Sequence, residues 1–143
     1  MSRRKTTDLR SLIREKGLRA TPARVAVCEV LERATSPLTH ADVAKLLDAR
    51  GTDQTTVFRN LNDLVEVNLV RRLEVGDHVY RFEWCGATAP NTGHAHFMCV
   101  DCGEVSCLED LQPSQPTAVA RASKKLIGDI TEVLYKGHCA HCV

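Results

Sequence analysis

No run of apolar residues in this chain is long enough to cross a bilayer, and no hydrophobic stretch stands behind Met1-Ser-Arg-Arg-Lys to act as a secretion signal. A cytoplasmic location is therefore expected. Internal repeats and low-complexity tracts are also missing, so neither a solenoid nor a biased tail organises the chain. Net charge is nearly absent at +1, yet the balance is uneven along the chain. Residues 1–84 carry 15 Lys and Arg against 12 Asp and Glu, and residues 85–143 carry 4 against 6, so any nucleic-acid contact belongs to the first part. The seven cysteines are an odd number and fit a reducing compartment better than a secreted disulfide scaffold. At 143 residues there is room for one ordinary domain or two small ones, and small ones need help to stay folded.

That help is visible in two Cys-x-x-Cys pairs, Cys99-Val-Asp-Cys102, followed by Gly103, and Cys139-Ala-His-Cys142. Each pair can aim two thiolates at one ion, and four thiolates complete the tetrahedral shell of a structural zinc site. A thioredoxin-like redox pair would instead open a helix inside a βαβ unit, and nothing in the chain calls for two of those.

Helical spacing of Leu9, Leu12 and Ile13 up to Gly17 predicts a first short helix. Thr21-Pro22 begins a second, amphipathic through Val25, Cys28 and Leu31 to about Arg33, with Cys28 as a buried core thiol. Thr39-His40-Ala41-Asp42 has the form of a capping box and starts a third helix that reaches Arg50-Gly51. Thr55 or Thr56 caps a fourth, with Val57, Leu61, Leu64 and Val65 inward and Phe58 and Arg59 outward. Leu69 to Glu74 and His78 to Glu83, flanking Val75-Gly76-Asp77, form a β-hairpin. Helices followed by a hairpin give the order of a winged helix-turn-helix, in which the fourth helix enters the major groove. The domain boundaries expected are 1–83 for this winged helix, 84–93 for a hinge and 94–143 for a second, metal-binding unit. In that unit Ala95 to Val100, Val105 to Leu108 and Ile130 to Tyr135 are strand candidates, with a helix from about Gln115 to Gly128. The whole is an α+β protein.

Gly17-Leu-Arg-Ala-Thr21-Pro-Ala-Arg24, Thr55-Thr-Val-Phe-Arg59-Asn-Leu-Asn-Asp-Leu64, His94-Ala-His96-Phe-Met-Cys99-Val-Asp-Cys102-Gly103 and Cys139-Ala-His-Cys142 together resemble the ferric uptake regulator family. The resemblance covers nearly the whole chain in the right order, and its most specific part is His-x-His just ahead of Cys-x-x-Cys-Gly. It implies a metal-sensing repressor rather than an enzyme, with a winged helix, a hinge and an α/β dimerisation domain closed by a four-cysteine zinc. It also implies a homodimer on a palindromic double-stranded operator. For DNA, the resemblance places Phe58 and Arg59 on the recognition helix with Thr56 beside them, and gives Arg19 the role of a minor-groove probe. The aromatic suits a thymine methyl and the guanidinium a guanine or a phosphate. Arg24 and Arg72 are candidates for phosphate contact.

A sensor needs an exchangeable ion, held by ligands weaker or fewer than four thiolates. His94 and His96 alternate to one face of a strand, Glu83 matches the family's hinge ligand, and Cys107 stands where the family usually carries Glu or Asp. Two departures matter. Pro37 occupies the place of the family's N-terminal histidine ligand, for which His40 is a possible substitute, and Thr131 stands where an ancillary histidine is expected. Cys85 is a reserve thiol. Exchange of a hard carboxylate for a thiolate shifts preference from octahedral iron or manganese toward tetrahedral zinc. The expectation is a zinc-responsive repressor, with an iron-responsive or peroxide-sensing repressor as the alternative. A small zinc hydrolase is a remote one, because no general base or substrate pocket accompanies the ligands.

Overall fold

The computed structural model describes residues 8–86, 95–108, 126, 130 and 132–143, and the chain divides into two compact units, Met1–Thr88 and Ala89–Val143. In the first unit, α1 (Leu9–Glu15) begins at Asp8, whose carboxylate accepts from the amides of Arg10 and Ser11, and Gly17 beyond it takes φ +82°. The Thr21 hydroxyl accepts from Arg24 N and Pro22 opens α2 (Pro22–Arg33). Thr39 and Asp42 form a reciprocal capping box at α3 (His40–Leu47). A 3₁₀ turn, Asp48–Arg50, then runs to Gly51 at φ +73°, so the third helix is shorter than its periodicity suggests.

α4 (Gln54–Glu66) is capped by Asp53 and not by Thr55 or Thr56. The Asp53 carboxylate accepts from Thr56 N at 2.6 Å, which places both threonines inside the first turn. Strands β2 (Val70–Glu74) and β3 (Tyr80–Trp84) form the hairpin, with Arg72 opposite Phe82 and Val70 opposite Trp84. A third strand, β1 (Leu38–Thr39), adds to the outer side of β3 and gives the order β1-β3-β2. Ile13, Val27, Cys28, Leu31, Val43, Leu47, Val57, Leu61, Leu64 and Phe82 form one core, as the periodicities require. Burial of these side chains, at roughly 1.5 to 3 kcal/mol each, is what holds α4 against the rest of the unit.

The second unit contains β4 (Ala95–Cys99), β5 (Val105–Leu108) and β6 (Leu134–Gly137) in the order β5-β4-β6. β4 runs antiparallel to β5 and parallel to β6. The last strand thus lies later than the expected Ile130 to Tyr135, because its pairing with β4 sets Leu134 against His96 and Gly137 against Cys99. Gly137 packs closely there, since a Cβ would stand 3.3 Å from the Phe97 ring. The expected helix from Gln115 to Gly128, Thr131 and most of the hinge lie outside the described residues, apart from Leu126 and the 84–86 segment. Among the described residues no helix is long and apolar enough to cross a membrane.

Candidate metal centres and nucleic-acid interface

β4 delivers Cys99 at its end, and Gly103 at φ +75° lets the chain turn so that Gly103 N donates to Cys99 O at 2.9 Å. β6 leads straight into Cys139, and Cys142 N closes a matching turn on Cys139 O at 3.0 Å. The two turns meet. All four sulfurs lie within 4.8 Å of one another, and Cys102 Sγ is 4.0 Å from Cys139 Sγ. A tetrahedron with Zn–S bonds near 2.3 Å has edges of about 3.8 Å, so the four thiols fit a zinc ion. Their acidities point the same way. Backbone N–H groups of Cys102 and Cys139 draw the Cys99 thiol down to about 6, whereas the Cys139 and Cys99 sulfurs push Cys142 up to about 12. One thiolate forms readily and the full set needs a cation among them. Outside this shell His138 Nδ1 and Asp101 Oδ2 pair at 2.5 Å and link the two turns, and the carboxylate raises the imidazole's proton affinity.

A second set of ligands stands on the same sheet. His96 is 1% exposed and lies directly opposite the half-buried Cys107 in the β4/β5 ladder. Opposed residues put their side chains on the same face with Cβ atoms about 5 Å apart, so an imidazole and a thiol are presented together. The sequence singled out both residues and the strand register pairs them. His94 lies outside the described residues.

Glu83 and Cys85 belong to the first unit. Glu83 sits opposite Arg71 in the hairpin, and Cys85 follows β3 with its sulfur 3.9 Å from Glu83 O and its thiol raised by burial. His40 has a structural position, with Nε2 3.0 Å from Gln54 O and its ring edge-on to Phe58 at 5.5 Å between centroids. It braces the start of α4, and Pro37 nearby in sequence is buried.

α4 buries Val57, Leu61 and Leu64 and turns Phe58, 51% exposed, and Arg59 to solvent. Thr56 is half-buried, Arg19 is exposed, and Arg72 lies over the Tyr80 ring with its guanidinium carbon 4.6 Å from the centroid. At the hairpin tip Asp77 accepts from Val79 N and pairs with Arg81 at 2.8 Å, fixing a turn in which His78 takes φ +61°.

Arg24 is tied into the protein: its guanidinium donates to Asn60 Oδ1, Asp63 Oδ2 and Arg19 O, and its side chain is only 13% exposed. Asn60, buried on the apolar face of α4, is the residue that sequence reasoning missed; a polar residue next to Leu61 in the inward row was the available signal.

The sequence profile of the Ferric uptake regulator family matches residues 15–126. The chain is 30% identical over 129 residues to Ferric uptake regulation protein 1 of Mycolicibacterium fortuitum, covering 90% of this chain and 78% of that protein. It is 32% identical over 95 residues to the Peroxide operon regulator of Bacillus subtilis (strain 168), covering 65% of this chain and 62% of that protein. The fold is similar to that of the Vibrio cholerae ferric uptake regulator, with TM-score 0.71 at 22% identity over 92% of this chain and 100% of that one.

Proposed function

Because this chain belongs to the ferric uptake regulator family of metal- and DNA-binding transcription regulators, we propose that it is a zinc-responsive repressor, a homodimer that binds a palindromic duplex in the cytoplasm when its exchangeable site is filled. One observation supports this reading above the others: a second pair of metal-ligating side chains, His96 opposite Cys107, stands apart from the four-cysteine cluster in a chain that also carries a winged helix. The cluster of Cys99, Cys102, Cys139 and Cys142 holds the structural zinc, and four thiolates bind it too firmly to report on supply.

The regulatory ligands are His96 and Cys107, joined by His94 and Glu83 as the sequence suggests. In the chain, Glu83 belongs to the first unit and His94 to the second, so ligands shared across the hinge would limit the angles the hinge can take. In a dimer that angle sets the separation of two recognition helices, and a coupling of about 1 to 3 kcal/mol changes occupancy severalfold to a hundredfold. His96 and Cys107 would hold a divalent ion there, which would supply positive charge to the thiolate. A thiolate and imidazoles favour tetrahedral zinc over octahedral iron or manganese. Arg19, Thr56, Phe58, Arg59 and Arg72 meet the duplex, and the Arg72 guanidinium on the Tyr80 ring is held ready for a phosphate.

The test is to select duplexes from a random pool with the metal-loaded protein. Binding of the selected duplex is then measured by fluorescence anisotropy with Zn²⁺, Fe²⁺ or Mn²⁺ in the exchangeable site. Tightest binding with Zn²⁺ is expected; equal binding after a mild chelator empties that site would defeat the proposal. The similarity to a peroxide operon regulator favours a second reading, iron-loaded and oxidant-sensitive. Loss of binding after peroxide treatment of the Fe²⁺ form, with the Zn²⁺ form indifferent and weaker, would select it.

A further inference from the structure

Arg24, in the first turn of α2, holds three acceptors drawn from two other parts of its unit. Nε donates to Asn60 Oδ1 at 3.1 Å, one terminal nitrogen donates to Asp63 Oδ2 at 2.7 Å, and the other to the backbone carbonyl of Arg19 at 2.8 Å. Asn60 and Asp63 are three residues apart on α4 and therefore share one face of that helix. Arg19 lies in the loop between α1 and α2 with its own side chain exposed.

A guanidinium presents five donors in a rigid plane and here makes its three bonds from three separate nitrogens, whereas lysine would have to make them from one. The bonds to Asn60 and Asp63 are partly buried, with the Arg24 side chain 13% exposed and Asn60 buried, and the bond to Arg19 O lies at the surface. Nothing in the core requires this link, since α2 and α4 already meet through Val27, Leu31, Leu61 and Leu64. What it adds is a fixed position for the Arg19 backbone relative to α4.

We propose that Arg24 is a positioning residue for DNA reading: it clamps the Arg19 loop to α4, so that Arg19 and the Phe58-Arg59 pair reach the duplex as one rigid set. This rests on the proposed DNA-binding role of Arg19 and α4. If the clamp operates, the value of Arg19 to binding depends on Arg24, and the two substitutions are not independent.

The experiment is a double-mutant cycle on the selected duplex with wild type, Arg19→Ala, Arg24→Lys and the double variant, all metal-loaded. Arg19→Ala alone is expected to weaken binding roughly tenfold, and less than about threefold when Arg24 is already Lys. Amide exchange in the free protein should quicken at residues 18–21 in Arg24→Lys and stay unchanged at Val27, Leu61 and Leu64. Asp63→Ala, which removes one half-exposed acceptor of the clamp, carries the same cycle if Arg24→Lys fails to fold. Losses that multiply, or unchanged exchange at residues 18–21, would overturn the clamp while leaving the DNA-binding reading intact. A wild-type protein that binds no selected duplex would overturn that reading, and the clamp with it.

Discussion

At the scale of single residues, the helix cap and the core thiol make separable predictions. Asp53 rather than Thr55 satisfies the first-turn amide of α4, so Asp53→Ala is expected to cost about 1 kcal/mol in urea unfolding, while Thr55→Ala stays within about 0.5 kcal/mol. The run Thr52-Asp53-Gln54-Thr55-Thr56 holds four side chains able to cap, and only the path of the backbone selects one. Cys28 makes a pH prediction. Burial pushes its thiol from the ordinary 9.0 up to about 12, with Arg24 opposing and Glu32 and Glu29 adding to the rise. The folded state therefore keeps a proton that the unfolded chain releases above pH 9, so this contribution is complete below pH 9 and is lost as pH climbs toward 12. Cys28→Ala should cost about 1 kcal/mol at pH 8 and flatten the fall in stability between pH 9 and pH 11, measured by urea unfolding at each pH. The burial of Cys28 was legible from its place in the apolar row of α2, but the Arg24–Asn60 bond joins residues 36 apart and left no local trace.

At the scale of elements, α4 and the paired cysteine turns carry the account. Phe58 touches His40 edge-on, and His40 is tied to Gln54 O, so the imidazole holds the exposed ring in place. Replacing the contacted thymine by deoxyuridine removes one methyl group and should weaken wild-type binding by about 0.8 kcal/mol, roughly fourfold. That difference should vanish in Phe58→Ala and shrink in His40→Ala, by anisotropy on the two duplexes. In the second unit, stripping the four-cysteine cluster with a strong chelator, or Cys142→Ser, should collapse amide-exchange protection across β4 and β6 and leave α2 and α4 protected. The four helices, the hairpin and the cysteine pairs were legible because each is written within a few consecutive residues. β1 and the bounds of β6 were not: a two-residue strand exists only through its pairing with β3, and the register of β6 is set by β4, far away in sequence. The same reasoning applies to the candidate sensor. His96 and Cys107 could be named from their neighbours, but that they oppose each other across two strands is a property of the ladder.

For the whole molecule, the proposed reading joins the uneven charge, the winged helix and the two classes of ligand in one task, metal-governed binding of a duplex. On that reading the four cysteines hold the second unit in shape, and Cys107, five residues beyond the first pair, would give the exchangeable site its softness. The most direct measurement is metal content per protomer followed beside duplex binding while a chelator of graded strength is titrated in. The account predicts two ions, one leaving early together with duplex binding and one retained until the fold of the second unit fails. A protein that releases the early ion and keeps its full affinity for the selected duplex would contradict it.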